Sequence, residues 1–212
     1  LVALEEGVVD AKTTFTCYSG HYYARNQFMA CMCRPGTKNN LNRGIYKSCN
    51  TYFSNVYRRI IDKDNQVEEN INNWHKHLNS FGLGNYLGYD HPVGQPGYVP
   101  NANFYNLWYP NQRWRGSTIV SNAIGQGEIL MTPIQLANVA ATIANRGFFY
   151  TPHFVKDVQG DFIDPKYKTK RATSISKEHF TNVIEGMADV VSKGTARVAA
   201  IRGIEVCGKT GT

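Results

Sequence analysis

The last ten residues, GIEVCGKTGT at 203–212, most strongly limit how this chain can fold. They have the composition of a short β-strand that leads into a small, polar run. A strand cannot satisfy its own backbone N–H and C=O groups, because a β-ladder needs a neighbouring strand. The rest of the chain is mostly helical in pattern, so we expect the sheet around this strand to be supplied by residues before 1 and after 212.

Helical periodicity accounts for most of the remaining sequence. The opening LVALEEG is predicted to end a helix at Gly7, and further helices are predicted over 48–61, 66–80, 177–192 and, briefly, 195–201. The strongest signal is TPIQLANVAATIANRG, in which Thr132 caps the helix, Pro133 takes its first position and Gly147 ends it. Its core-facing stripe is predicted to consist of Leu136, Val139, Ala140 and Ile143.

Two segments lack a sustained helical period. Residues 82–117 are rich in Gly, Pro, Asn, Tyr and Trp. This predicts a long loop that either lines a binding site or packs its aromatic side chains over the core. Residues 148–158, FFYTPHFVKDV, are predicted to be extended, as in one arm of a hairpin.

Composition narrows the class of protein. A length of 212 residues with 42% hydrophobic and 12% aromatic residues predicts one large globular domain rather than a disordered chain. The net charge is +7, but Lys and Arg are scattered singly and in pairs, which favours a generally basic surface over a nucleic-acid-binding stripe. The sequence has no signal-peptide pattern and no apolar run of about 18 residues, so we expect no membrane span within it.

The five cysteines leave the redox setting open. Cys17, Cys31 and Cys33 suggest zinc ligands, but a fourth local ligand at the usual spacing is missing, and His21 fits poorly ten residues before Cys31. A disulfide from Cys17 to Cys31 or Cys33, and a set of free thiols, are the two alternatives. The remaining cysteines are Cys49 and Cys207.

Two short motifs carry the chemical signal. Ser-Cys-Asn at 48–50 lies at the start of the predicted 48–61 helix, where Ser48 or Asn50 is expected to be the N-cap. Lys-Thr-Gly at 209–211 lies on the predicted terminal strand. Each motif occurs once, and each alone is more often only a helix cap or a strand end. Their order, their separation and the helices between them make the pair informative.

The pair resembles the Ser-x-Asn and Lys-Thr-Gly motifs of penicillin-binding proteins and serine β-lactamases. The similarity extends to LVALEEGVV, IYKSCNTYFSNVYR, SNAIGQGEILMTPIQLANVAATIANRGFFYTPH, EGMADVVSKGTA and VCGKTGT, which cover most of the chain together with their connecting segments. These stretches are similar to class B penicillin-binding proteins. The IGQGE and TPIQLAN runs, with the long loop ahead of them, are similar to the elongation type, penicillin-binding protein 2.

The resemblance implies an incomplete α/β (α+β) transpeptidase domain over residues 1–212, made of the helical part plus the KTG strand of an antiparallel sheet. It implies a serine D,D-transpeptidase that cross-links peptidoglycan stem peptides through an acyl-enzyme and is acylated by penicillins. The implied catalytic residues have separate roles. Ser48 passes a proton, Asn50 orients the base lysine and holds the substrate carbonyl, and Lys209 keeps positive charge over the site.

The same resemblance implies how the substrate is held. The hydroxyls of Thr210 and Thr212 would bind the terminal carboxylate of D-Ala or of a penicillin, and the Thr212 backbone N–H would donate to the oxyanion. Gly211 would leave room for substrate to add along the strand edge. Cys49 would point into packing rather than act as a nucleophile. No metal, no organic cofactor and no nucleic-acid partner are implied.

The family's nucleophile and base form an S-x-x-K pair, which the resemblance places before residue 1, in the helix that LVALEEG ends. The single Ser-x-x-Lys in this sequence, Ser174 to Lys177, follows the Ser-x-Asn motif instead of preceding it. Ser176 is also a natural cap for the helix predicted next. We therefore expect this pair not to be catalytic.

Other activities are also compatible with the resemblance. A D,D-carboxypeptidase or a β-lactamase would share the motifs and differ mainly in whether water resolves the acyl-enzyme. A non-catalytic sensor domain would instead bind muropeptide or β-lactam.

The resemblance also implies a cellular setting, the outer, periplasmic face of the cytoplasmic membrane, where an N-terminal anchor would hold the full-length protein. Its implied partners are membrane proteins of the elongation complex, including a glycan polymerase.

Overall fold

Seven α-helices and six short strands follow one another along residues 1–91, 93–111, 113–157 and 163–211, which this computed structural model describes. The helices are α1 (Val2–Glu5), α2 (Leu41–Tyr46), α3 (Asn50–Ile61), α4 (Val67–Ser80), α5 (Ala102–Trp108), α6 (Pro133–Ala144) and α7 (Glu178–Ser192). The strands are β1 (Phe15–Cys17), β2 (Gly20–Ala24), β3 (Gln27–Ala30), β4 (Thr37–Asn39), β5 (Phe148–Tyr150) and β6 (Lys170–Ala172). Within the described part of the chain, no helix has the length and apolar character needed to cross a membrane.

Helix α3 forms the centre of the core, where it contacts α1, α2, α4 and β1. The helix predicted over 48–61 is confirmed from Asn50 onward, and Tyr52 and Ile61 on its inner face are almost fully buried. The predicted N-caps, Ser48 and Asn50, were wrong. Cys49 caps α3 through its Sγ, which accepts the Tyr52 N–H at 3.4 Å. Ser48 cannot serve as the cap because its backbone completes the end of α2.

Helix α2 lies between α3 and α7 and approaches both through glycines. Gly44 faces the ring of Tyr52, where an added Cβ would come within 2.6 Å of a ring carbon. Gly186 on α7 faces Ile45, and a Cβ there would come within 2.8 Å of the side chain. The apolar face predicted for 177–192 is confirmed in α7, where Phe180, Val183, Val190 and Val191 are buried. The short distances from α2 to α3 and α7 therefore require glycine at positions 44 and 186.

Helix α6 begins as its sequence predicts. Thr132 and Gln135 form a reciprocal capping box, and Pro133 takes the first helical position. The helix ends at Ala144, and the Gly147 N–H then donates to the Thr142 carbonyl at 2.9 Å. The predicted start and stop signals are confirmed.

The face that α6 buries was predicted only in part. Leu136 and Ala140 of the expected apolar stripe are exposed, and Leu136 exposes 52% of its surface. The buried residues are instead Gln135, Asn138 and Thr142. Gln135 Nε2 lies within 3.1 Å of the carbonyl oxygens of residues 82, 85 and 96, and Asn138 donates to the carbonyl of residue 81. Val139 and Ile143 of the predicted stripe are half-buried and pack against the core, so hydrogen bonds to the long loop and apolar contacts together orient this helix.

The segment 82–117 contains a helix, α5, that its sequence did not predict. Tyr105 on α5 is fully buried, and its ring centroid lies 5.0 Å from that of Trp114. The hydroxyls of Tyr57 and Tyr105 hydrogen-bond the side-chain amide of Asn122. Of the two roles expected for the loop, packing over the core is the one that these buried aromatic residues fulfil.

The described strands form three two-stranded antiparallel sheets, in the pairs β1–β4, β2–β3 and β5–β6. The extended segment predicted from residue 148 begins with β5; its end at residue 158 lies outside the described residues. The terminal strand predicted over 203–212 is not a strand in the described residues. Its Gly208 N–H donates to the carbonyl of Met187 on α7 at 3.1 Å, because no described strand lies beside it.

Two glutamates at the end of α1 connect that helix to the rest of the core. The Glu6 carboxylate lies 3.0 Å from His77 Nε2 and 3.6 Å from Lys63 Nζ. The Glu5 carboxylate accepts the backbone N–H and the hydroxyl of Ser176, and these hydrogen bonds lower the pKa of Glu5. Ser176 therefore bonds to α1 rather than capping α7 with its side chain, which corrects the predicted cap.

We predict that Gly44→Ala destabilises the domain. The new methyl would meet the buried ring of Tyr52, and overpacking of this kind costs about 1–3 kcal/mol, partly offset by the roughly 1 kcal/mol helix preference of Ala over Gly. The measurement is the melting temperature of the full-length protein. Gly208→Ala is the control, because a Cβ there would make only an ordinary 3.7 Å contact. Equal melting temperatures for the two variants would contradict the prediction.

Candidate active site

Ser48 is the middle residue of the three-residue joint, residues 47–49, between α2 and α3. The Ser48 N–H donates to the carbonyl of Ile45 at 3.1 Å, and the Cys49 N–H donates to the carbonyl of Gly44 at 2.9 Å. This is the Schellman ending of a helix, in which the residue after the C-cap is left-handed and usually glycine. Ser48 takes that conformation, with φ of 50°. A serine in a strained glycine position is typical of functional sites.

Lys209 reaches Ser48 from the far end of the sequence. Its Nζ donates to Ser48 Oγ at 2.8 Å across a separation of 161 residues, and it also donates to the Thr210 carbonyl at 2.7 Å. Among the described residues, no carboxylate lies within ion-pair distance of this ammonium. Desolvation lowers the pKa of Lys209 below its ordinary value. The two predicted motifs are therefore brought together.

The side chain of Asn50 is held by the end of strand β3. Its Nδ2 donates to the carbonyl of Ala30 at 2.9 Å, at the end of β3. This bond connects the first turn of α3 to the β2–β3 hairpin. It uses the amide nitrogen of Asn50, and the amide oxygen takes no part in it. Asn50 thus lies beside Ser48 in the chain, while its amide is fixed by a different element.

Thr210 meets a residue that the sequence analysis missed. Its Oγ1 lies 3.0 Å from Oγ1 of Thr195, in the turn that follows α7. Gly194 sets the route of that turn, because a Cβ there would collide with the Tyr46 carbonyl oxygen. The stretch VSKGTA contributes to the family resemblance, but nothing in its spacing indicates a contact with the terminal motif. The hydroxyl of Thr210, the residue after Lys209, therefore meets a second threonine hydroxyl.

Of the last two predicted binding residues, Gly211 is among the residues that the structure describes. Gly211 is exposed, and a Cβ built on it meets no atom within 4 Å. Its backbone is thus open to a ligand. Thr212, predicted to bind carboxylate and to donate to the oxyanion, lies outside the described residues.

The Ser-x-x-Lys stretch at 174–177, which follows the Ser-x-Asn motif in the sequence, lies against α4. Ser174 Oγ is 2.7 Å from His77 Nδ1 and 3.0 Å from Ser80 Oγ. These contacts connect the chain before α7 to the end of α4. Ser174 therefore has a structural set of partners, in keeping with the expectation that it is not the nucleophile.

Four of the cysteines gather immediately behind the joint. The sulfur atoms of Cys17, Cys31, Cys33 and Cys49 all lie within 4.8 Å of one another. Cys49 is fully buried, as expected for the middle residue of its motif. The fourth thiol was missed from the sequence because Cys49 lies 16 residues after Cys33 and on another element. His21 is not a member of this four-thiol cluster.

The arrangement has a definite chemical capacity. A hydroxyl held 2.8 Å from an ammonium can accept and release a proton without moving, since its other lone pair and its own hydrogen stay available. The positive charge of Lys209, which no described carboxylate pairs, suits an anionic group such as a carboxylate, as do the hydroxyls of Thr195 and Thr210. The site can thus combine proton transfer with recognition of an anion.

Comparison with known sequences agrees with this geometry. The profile of the penicillin binding protein transpeptidase domain matches residues 1–212. The peptidoglycan D,D-transpeptidase MrdA of Acinetobacter baumannii is 31% identical over 181 residues, which are 82% of this chain and 25% of that protein. Stage V sporulation protein D of Bacillus subtilis is 27% identical over 219 residues, which cover 99% of this chain and 30% of that protein.

Solved structures show the same architecture. The crystal structure of Pseudomonas aeruginosa PBP2 in complex with WCK 5153 superposes with a TM-score of 0.81 and 26% identity, over 99% of this chain and 46% of that one. The complex of PBP2 and MreC from Helicobacter pylori gives a TM-score of 0.71 with 26% identity, over 97% of this chain and 37% of that one.

These matches bear out the α+β fold class, although this chain spans about a quarter to a third of the length of the curated relatives. The profile match runs through both motifs that meet at the Lys209–Ser48 contact. The chain belongs to the penicillin-binding protein transpeptidase domain family.

Proposed function

We propose that this chain forms part of a serine D,D-transpeptidase that cross-links peptidoglycan stem peptides and is acylated by β-lactams. The single observation that carries the proposal is the 2.8 Å contact between Lys209 Nζ and Ser48 Oγ. In the full-length protein, the serine and lysine of an S-x-x-K pair would complete the site as nucleophile and base. The names of the similar proteins, peptidoglycan D,D-transpeptidases, support the same reaction.

In the proposed reaction, the nucleophilic serine attacks the penultimate D-Ala carbonyl and D-Ala leaves as an amine. That amine must gain a proton, and the amine of the second stem peptide must later lose one. Ser48 is the group that carries this proton, because its hydroxyl is already fixed by the helix joint and by Lys209. Asn50 orients the base lysine and the substrate carbonyl beside it.

Recognition of the substrate terminus is proposed for Lys209 and its neighbours. The terminal carboxylate of D-Ala, or the carboxylate of a penicillin, binds the hydroxyls of Thr195 and Thr210 under the positive charge of Lys209. The exposed backbone at Gly211 accepts the rest of the ligand as an added strand. Binding by Thr212 and its backbone N–H remains part of this proposal.

The proposed setting follows from the full-length relatives. Complexes are known for Helicobacter pylori PBP2 with MreC and for a peptidoglycan synthase that coordinates polymerisation and cross-linking. By similarity, we propose elongation-complex membrane proteins, including a glycan polymerase, as partners. Their presence would put the domain on the periplasmic face of the cytoplasmic membrane, held there by an anchor.

The first functional prediction concerns Ser48 and uses two variants. Ser48→Gly keeps the left-handed conformation that the end of α2 requires, while Ser48→Ala keeps a Cβ but has no hydroxyl. Both variants should acylate with fluorescent penicillin about 10²–10⁴-fold more slowly in the full-length protein, because the proton carrier is gone. Ser48→Gly should also melt no lower than the wild type, since glycine relieves the backbone strain.

Labelling of Ser48→Gly at the wild-type rate would show that Ser48 has no part in proton transfer. Penicillin labelling of the wild-type protein distinguishes an enzyme from a binding domain. A covalent penicillin band identifies an acylated enzyme, whereas its absence identifies a binding domain without catalysis. Release of the bound label by water, and not by an added amine, would favour a carboxypeptidase or a β-lactamase.

The second functional prediction concerns the charge of Lys209. Lys209→Met should lower the acylation rate by about 10²–10³-fold, because one preorganised electrostatic contact to the ligand is lost. Lys168→Met is the matched control, since Lys168 is exposed and lies outside the site. Equal losses in the two variants would mean that net charge, rather than the position of Lys209, governs acylation.

The pH dependence of acylation follows from the lowered pKa of Lys209. A lysine with a lowered pKa loses its charge at a lower pH than an ordinary lysine does. The acylation rate should therefore fall on the alkaline side earlier than an unperturbed lysine would allow. Lys209→Arg should move this alkaline limb to higher pH, because guanidinium stays protonated. An unchanged limb in this variant would exclude Lys209 as the titrating group.

A further inference from the structure

We propose that the solvent-facing side of the β2–β3 hairpin binds the second peptidoglycan strand, the acidic glycopeptide whose amine resolves the acyl-enzyme. This outer hairpin face consists of the exposed rings of Tyr22 and Phe28 with the exposed guanidinium groups of Arg25 at the hairpin tip and Arg34 after its base. The inference rests on the proposed function, because an enzyme that cross-links must hold two strands. Lys209 and its neighbours account for only one of them.

The charge of this part of the chain is one-sided. Residues 11–61 contain eight Lys and Arg residues and no Asp or Glu, whereas the rest of the chain contains 15 Lys and Arg residues and 16 Asp and Glu residues. The bases are spread along the whole sequence, so the asymmetry comes from the missing acids. The positive net charge of the chain therefore arises in the segment that carries both the hairpin and the Ser-x-Asn motif.

The arginines of the outer hairpin face are available to a ligand. Both are exposed, and among the described residues no carboxylate lies within ion-pair distance of Arg25 or Arg34. Guanidinium groups bind carboxylates through paired hydrogen bonds. An acidic partner is therefore the one whose charge complements this surface.

The two faces of the hairpin have different surroundings. His21 and Met29 form a cross-strand pair on the inner face, where Met29 Sδ lies 3.0 Å from Ser54 Oγ on α3. Tyr22 and Phe28 form the next pair, and they point the other way because side chains alternate along a strand. They expose 70% and 48% of their surfaces. The described part of the chain thus leaves this aromatic pair open to solvent.

The two exposed rings are held in place before any ligand arrives. Their centroids lie 5.1 Å apart in an edge-to-face arrangement. The Phe28 ring lies across Gly20, where an added Cβ would collide with it. Rings that are already ordered lose little entropy on binding. Flat aromatic rings stack on the C–H faces of sugars, so the rings and the arginines together suit a ligand that carries both sugars and carboxylates.

The outer hairpin face adjoins the candidate active site. The Ala30 carbonyl, at the end of β3, accepts the hydrogen bond from Asn50, and Phe28 precedes Ala30 by two residues, roughly 7 Å along the strand. At the base of the hairpin, Ser19 Oγ donates to the Cys33 carbonyl at 3.1 Å and so holds the start of the Arg34 segment against β2. A strand bound here would have its stem peptide within reach of Ser48, where the incoming amine must lose its proton.

An anionic membrane is the other partner with a matching charge. A bilayer is flat, however, and one that rested on the outer hairpin face would also cover the adjoining Ser48 and Asn50. Substrate must enter there, so the position of the hairpin favours a glycopeptide strand.

Strand binding by the full-length protein tests the aromatic part of the proposal. The probe is a soluble, uncross-linked glycan strand with pentapeptide stems, added after penicillin has occupied the acylation site. The wild type should bind this probe, and Tyr22→Ser should bind it about five- to tenfold more weakly, because a stacking ring is lost. Phe154→Ser is the matched control, since Phe154 exposes 72% of its surface and lies outside the hairpin. This control should bind the strand like the wild type.

A pair of double variants tests the charge. Arg25→Glu combined with Arg34→Glu should weaken strand binding about tenfold at low salt, and the loss should shrink as salt screens the charges. Lys168→Glu combined with Arg202→Glu changes the net charge equally on exposed residues elsewhere and should leave binding within about twofold of the wild type. Equal losses in the two double variants would overturn the proposal, because net charge alone would then attract the strand.

The remaining outcomes separate this inference from the proposed function. If penicillin never attaches to the wild type while the hairpin variants still lose strand binding, the proposed function fails and the outer hairpin face stands. If penicillin attaches and the hairpin variants bind the strand as tightly as the wild type, the inference fails and the proposed function stands. Binding of the wild type to phosphatidylglycerol vesicles in preference to the strand would likewise overturn the inference in favour of a membrane.

Discussion

The turn between α2 and α3 is the constraint on which this site depends. Two backbone hydrogen bonds close the end of α2 and force Ser48 into the left-handed conformation, and the next residue already caps α3. This turn fixes the backbone at residues 48 and 50, and contacts with other elements then hold the two side chains: Lys209 donates to the Ser48 hydroxyl, and the Asn50 amide donates to the Ala30 carbonyl. Gly44 allows that packing, because it brings α2 against the ring of Tyr52.

Once this turn is fixed, the remaining contacts of the site follow from what surrounds it. α7 packs on α2 and leads into the turn at Gly194, which carries Thr195 to the terminal motif. The Gly208 N–H then attaches the terminal segment to α7, and Lys209 reaches Ser48. The candidate active site is thus assembled around a helix pair, although Ser48 and Lys209 lie 161 residues apart.

The sequence predicted what depends on local patterns. The boundaries of α4, α6 and α7 follow from caps, glycines and apolar periodicity, and all three were predicted to within a few residues. The two site motifs were found because each is contiguous. What could not be predicted depends on contacts distant in sequence. The buried face of α6 is set by carbonyl groups of the long loop, and the fourth thiol of the cysteine cluster lies on a separate element. The terminal segment forms no ladder for the reason that its sequence analysis gives, since a strand needs a partner and the described residues offer none.

The antiparallel bridge between Tyr98 and Leu130 divides the long loop into two parts with different tolerance for change. The Tyr98 N–H donates to the Leu130 carbonyl at 2.7 Å, and the Leu130 N–H returns a bond at 2.9 Å. Residues 82–96 are held by Gln135, whereas everything between 98 and 130 enters and leaves through this narrow neck. The exposed parts of that segment can therefore change in length and sequence during evolution while α2 and α3 keep their places.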